Sequence, residues 1–153
     1  MTKILFVCTY HGGRAMLAEQ IARSLHYPDI EVASSSFEQG EIGPRIYHLL
    51  AEKGLPIKHI EPPVPVWDRF NNGERFDLVV TLCNDTSAEK CPVFNANIST
   101  LYGRVARIVR WSIPDLANIE GNNEQWVEQA REIRDLIFLK VVRLLQDMHE
   151  NAA

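Results

Sequence analysis

The stretch Lys3-Ile4-Leu5-Phe6-Val7-Cys8-Thr9-Tyr10-His11-Gly12-Gly13-Arg14, continued by Ala15-Met16-Leu17-Ala18-Glu19-Gln20-Ile21-Ala22, decides the fold. Lys3 to Val7 is a continuous, largely apolar run, the pattern of a strand covered on both faces. From Arg14 to Leu25 the apolar residues Leu17, Ala18, Ile21, Ala22 and Leu25 recur at helical spacing. Between the two lies a short turn that includes Gly12 and Gly13. A buried strand therefore passes directly into an amphipathic helix.

The alternation continues outward. Ile30 to Ser34 reads as a second strand and Pro44 to Glu52 as a second helix, with Pro44 at its first position and Gly54 as its stop. Pro62, Pro63 and Pro65 enforce an extended loop. Asp77 to Leu82 and Ala106 to Trp111 are a third and a fourth strand. Glu124 to Met148 is the strongest helix, with Trp126, Ala130, Ile133, Ile137, Val141, Leu144 and Met148 along one stripe. Strands joined by helical crossovers imply a parallel sheet with helices on both faces. The expected fold is an α/β three-layer sandwich, with residues 1–150 as a single domain and no linker, repeat or low-complexity tract.

Composition narrows the function classes. The 153 residues are 46% apolar, enough for a full core, and the net charge of −4 points to neither a nucleic-acid nor a membrane partner. The N-terminal apolar run, about six residues long, is too short for a signal-peptide core or a membrane span. The expected location is the cytoplasm. Three cysteines cannot form a fully paired disulfide framework within one chain, and a reducing compartment disfavours structural bridges.

In an open parallel sheet, ligands bind beyond the carboxyl ends of the strands. That edge holds Cys8 to Arg14, Cys83 to Cys91, and Trp111 to Gly121, so all three cysteines lie there. Cys8-x5-Arg14 between a strand and a helix is suited to wrap an oxyanion. Backbone N–H groups of Thr9, Tyr10, His11, Gly12, Gly13, Arg14 and Ala15 converge at a helix N-terminus. Arg14 can contact a tetrahedral anion with both arms of its guanidinium. The same field lowers the pKa of Cys8 and yields a nucleophilic thiolate. This reading needs the Cys8 sulfur beside the anion, not packed among hydrophobic side chains, and Arg14 pointing inward. Asp115, after Pro114, sits where a carboxylic acid could protonate a leaving oxygen, although Asp after Pro is also an ordinary turn residue. Cys83 and Cys91 read either as inert thiols or as a redox pair; zinc would want tighter pairs and four donors.

Several segments carry a family resemblance. ILFVCTYHGGRAMLAEQIA (residues 4–22) resembles the opening of the low-molecular-weight tyrosine phosphatase superfamily. EVASSS (31–36) with IGPRIYHLLAEKGLPI (42–57), VVTLCNDTSAEKCPVF (79–94) and RWSIPDLANIEG (110–121) resemble its thioredoxin-coupled arsenate reductase branch. The resemblance implies a four-stranded parallel sheet in the order 2-1-3-4 and a three-cysteine relay. In it Cys8 attacks arsenate, Cys83 attacks the adduct and releases arsenite, and Cys91 resolves the Cys8–Cys83 disulfide. A Cys83–Cys91 disulfide is left for thioredoxin or a similar thiol reductant. The resemblance also gives Asp115 the general-acid role and implies no cofactor. Some members of the family bind a potassium ion near the loop; Glu19 falls at one matching position, but His11 replaces another ligand, so no metal site is expected.

Three departures stand out. His11 replaces the family's usual Asn, Ala15 replaces the usual Ser or Thr after the arginine, and the gap from Cys83 to Cys91 is one residue longer than usual. Two further readings follow. One is a phosphatase that hydrolyses phosphomonoesters through a phosphocysteine; the other, supported by His11 and Ala15, is a non-catalytic oxyanion-binding or regulatory domain.

Overall fold

A computed structural model describes residues 1–9, 13–37, 44–55, 64–84, 91–116, 119 and 121–151. In chain order the elements are β1 (Thr2–Cys8), α1 (Gly13–Ser24), β2 (Ile30–Ser36), α2 (Pro44–Ala51), β3 (Val64–Pro65), α3 (Val66–Asn71), β4 (Leu78–Cys83), α4 (Cys91–Tyr102), β5 (Arg107–Ser112) and α5 (Asn123–Asn151). All strand pairings are parallel, and the sheet order is β3-β2-β1-β4-β5.

The four expected strands stand in the expected order; the sheet has a fifth. Val64 and Pro65 pair with Ser35 and Ser36 at the edge of the sheet. Pro65 lacks an N–H and cannot donate to a ladder, so an edge is where a strand containing it can sit. Two residues carry no readable period, which is why the proline-rich stretch reads as loop. β2 also runs to Ser36, two residues past its expected end, because the serines continue to pair with Val7 and Cys8 of β1.

The helices bury the sheet from both sides. Alternate residues Ile4, Phe6 and Cys8 of β1 join a core with Leu17 and Ile21 of α1, Leu49 of α2, and Ile137 and Val141 of α5. Leu5 and Val7 face the other way, into a second core with Val66 of α3 and Phe94, Ile98 and Tyr102 of α4. This three-layer arrangement leaves the carboxyl ends of β1, β4 and β5 side by side. Phe37 N–H donates to Cys8 O at 2.8 Å and Ile113 N–H to Cys83 O at 3.2 Å, which holds that edge together beyond the last paired residues.

Candidate active site

Cys8 closes β1 at the centre of the sheet, in register with Ser36 of β2 on one side and Leu82 of β4 on the other. The chain re-enters regular structure at Gly13, the first residue of α1. A helix of 12 residues thus begins five positions after the sulfur-bearing residue and presents its positive end to this corner. The cradle residues Tyr10, His11 and Gly12 lie outside the described residues.

Arg14 points inward. Its side chain is 2% exposed; Nη1 donates to Ile113 O at 2.9 Å and Nη2 to Thr9 Oγ1 at 3.0 Å. Asp115 Oδ1 lies 4.0 Å from Nη2, and its side chain is 13% exposed. A guanidinium this deeply buried needs its donors satisfied and a counter-charge near. These contacts tie the start of α1 to the loop after β5. Arg14 and Asp115 meet at one site as their positions after β1 and β5 predict, whereas Ile113 contributes a backbone carbonyl and so leaves no trace in side-chain chemistry.

Cys8 does not present an open face to solvent. It is 0% exposed and packs in the core beneath α1 and α5, and Ala15 is likewise fully buried. The expectation of an accessible sulfur set away from hydrophobic side chains is therefore corrected for this state. β1 is the central strand, paired with β2 from Thr2 to Cys8 and with β4 from Ile4 to Cys8, and its alternation puts Cys8 on the same core face as Ile4 and Phe6.

Cys83 and Cys91, eight positions apart in sequence, are joined in a disulfide with Cα atoms 6.1 Å apart. Cys83 ends β4 and Cys91 opens α4; both are buried, in the core on the α4 side. The three cysteines thus share one sheet edge as expected, but Cys8 faces the α1 side and the disulfide the α4 side.

An all-parallel sheet layered between helices, with a C-x5-R sequence joining its central strand to a helix, defines a class: α/β proteins of the kind whose ligands bind beyond the carboxyl ends of the strands. The chain belongs to the low molecular weight phosphotyrosine protein phosphatase family, whose model matches residues 3–153. Among curated relatives, the arsenate reductase of Shouchella clausii (strain KSM-K16) is 27% identical over 143 residues, 94% of each chain. A solved structure of an arsenate reductase in the oxidised state superposes with a TM-score of 0.73 at 22% identity, over 96% of this chain and 98% of that one. A low molecular weight phosphotyrosine phosphatase from Vibrio cholerae O395 superposes with a TM-score of 0.72 at 16% identity over the whole of both chains. At these identities the two structures speak to the fold.

Proposed function

We propose that the protein, acting as a single domain in the cytoplasm, reduces arsenate to arsenite by a relay through its three cysteines. One observation carries the reading: the Cys83–Cys91 disulfide stands at the sheet edge where Cys8 ends the neighbouring strand. A phosphomonoester hydrolase has no use for that pair.

The Cys8 thiolate attacks the arsenic of arsenate, and Asp115 protonates the departing oxygen, which leaves as water. The guanidinium of Arg14 and the N-terminal amides of α1 hold the negative oxygens during this step. The Cys83 thiolate then attacks the Cys8 sulfur. The S–As bonding pair passes to arsenic, which leaves as arsenite, reduced by two electrons, and a Cys8–Cys83 disulfide forms. Cys91 attacks Cys83 and releases Cys8 as a thiolate. The Cys83–Cys91 disulfide is the end of the cycle, and a thioredoxin-like dithiol returns it to two thiols.

In this reading the structure corresponds to that end point, with Cys8 closed off. A thiolate at Cys83 must pass from the α4 side of the sheet to the α1 side to reach Cys8. The test is NADPH consumption with arsenate, thioredoxin and thioredoxin reductase. Turnover that disappears in Cys8→Ser, Cys83→Ser and Cys91→Ser supports the relay. Cleavage of an aryl phosphate that survives Cys83→Ser and Cys91→Ser would assign the site to phosphatase chemistry instead. Binding of phosphate with neither activity would assign it to oxyanion sensing.

A further inference from the structure

Three consecutive serines end β2, and their hydroxyls meet different fates. Ser34 Oγ donates to Glu19 Oε1 of α1 at 2.6 Å. Ser35 Oγ, on the opposite face, accepts from Arg69 Nε at 2.6 Å. Ser36 is 0% exposed, and its Oγ is the one buried side-chain oxygen or nitrogen among the described residues that lacks a hydrogen-bond partner. Buried hydroxyls are nearly always bonded, so an orphan in a well-packed sheet needs a reason.

The register supplies one. Ser36 is the pairing partner of Cys8, and Phe37 N–H donates to Cys8 O just beyond it, which holds the two backbones together at this point. Both side chains stand on the α1 face. Cys8 lies in the core with Val32 of β2, and Ser34, two positions before Ser36, reaches across to α1. Paired strands run about 4.8 Å apart, so a change of the Ser36 χ1 well is enough to swing its hydroxyl toward the neighbouring sulfur. A neutral thiol is a weak acceptor and leaves the hydroxyl idle, whereas a thiolate is a strong one. Ala15, fully buried at the start of α1, offers only a methyl group.

We propose that Ser36 donates its hydroxyl to the Cys8 sulfur when that sulfur is ionised, and so holds the nucleophile in its thiolate form. This rests on the assignment of Cys8 as the nucleophile under the proposed function. It adds a thiolate-stabilising residue that lies outside the C-x5-R turn, on the adjacent strand.

The experiment follows thiolate ultraviolet absorbance against pH in the protein with its Cys83–Cys91 disulfide intact, using Cys8→Ser as the blank. The unmutated chain is compared with Ser36→Ala and Ser35→Ala. Ser36→Ala is expected to raise the Cys8 pKa by about one unit, which leaves roughly tenfold less thiolate at a pH below both values. It should not lower the thermal midpoint, since the hydroxyl it removes has no partner to lose. Ser35→Ala, whose hydroxyl faces α3, should leave the titration in place. A Ser36→Ala curve that overlays the unmutated one would overturn the proposal, as would an equal shift in Ser35→Ala. A Cys8 that titrates near the ordinary thiol value of about 8.5 in the unmutated chain would count against the anion turn itself, whatever Ser36→Ala does.

Discussion

Arg14 is a sensitive side chain because one group meets two demands. Its fork is held by Ile113 O and Thr9 Oγ1, and its charge lies 4.0 Å from Asp115. Arg14→Lys keeps the charge and loses the planar fork, so it should weaken phosphate binding tenfold or more with a modest loss of stability. Arg14→Ala leaves buried acceptors and a carboxylate facing a void, and it should cost about 3–5 kcal/mol in urea unfolding. Titration calorimetry with phosphate, paired with denaturant melts, separates the two effects. Asp115→Asn preserves shape and removes the proton. It should cut turnover by about 10²–10⁴-fold and leave phosphate affinity nearly unchanged.

At the scale of elements, α5 is pinned at two places by carboxylates. Glu52, just past α2, accepts from Arg131 Nε at 2.9 Å and from Arg134 Nη1 at 2.7 Å. Asp29, before β2, faces His149 Nδ1 at 3.0 Å. The hydrogen bond from Arg131 holds the Glu52 carboxyl below its ordinary value of 4.5, and the one from His149 holds Asp29 below 3.8. A carboxyl depressed in the folded state stabilises it above the ordinary value and loses that contribution as pH falls through the depressed one. Amide protection factors in α5, taken relative to the intrinsic exchange rate at each pH, should therefore fall on acidification below about pH 4.5, and Glu52→Gln should flatten that dependence near Arg131. The Glu52–Arg131 and Asp29–His149 pairs are exposed, so added salt should shrink their share of the effect.

The long elements were legible because their periods are long. β1, α1, α2 and α5 fall within a few residues of where the apolar spacing places them, and Gly54 with its φ of +71° stops α2 as a glycine does. α4 was harder to see. Its residues Asn95, Asn97, Ser99 and Thr100 are weak helix formers, and the signal that it is a helix lies in Cys91, Phe94, Ile98 and Tyr102, buried at spacings of three and four. α3, six residues after a two-residue strand, has no room for a period.

For the whole molecule, the gathering of Cys8, Arg14, Cys83, Cys91 and Asp115 at one sheet edge was legible, because in a parallel sheet sequence order alone says which strand ends lie there. Which face each cysteine takes was not legible. That depends on the pleat and on where each strand stops, and one residue separates the Cys8 side from the Cys83 side. Ser36 escaped for the same reason: its importance lies in register with Cys8, across a crossover connection that spacing does not encode. The core tying the layers together is ordinary in its energetics. Ile137→Ala, at a fully buried position where α5 meets the sheet, should cost about 2–5 kcal/mol in a denaturant melt.

The relay makes a demand that no simple hydrolase shares, and a single turnover reads it directly. Fully reduced protein is mixed with arsenate in the absence of any reductant, quenched with an alkylating agent and mapped by mass spectrometry. One arsenite per chain should appear together with a Cys83–Cys91 disulfide and an alkylated Cys8, and Cys91→Ser should stop at a Cys8–Cys83 disulfide. Arsenate recovered unchanged, with all three cysteines alkylated, would contradict the account.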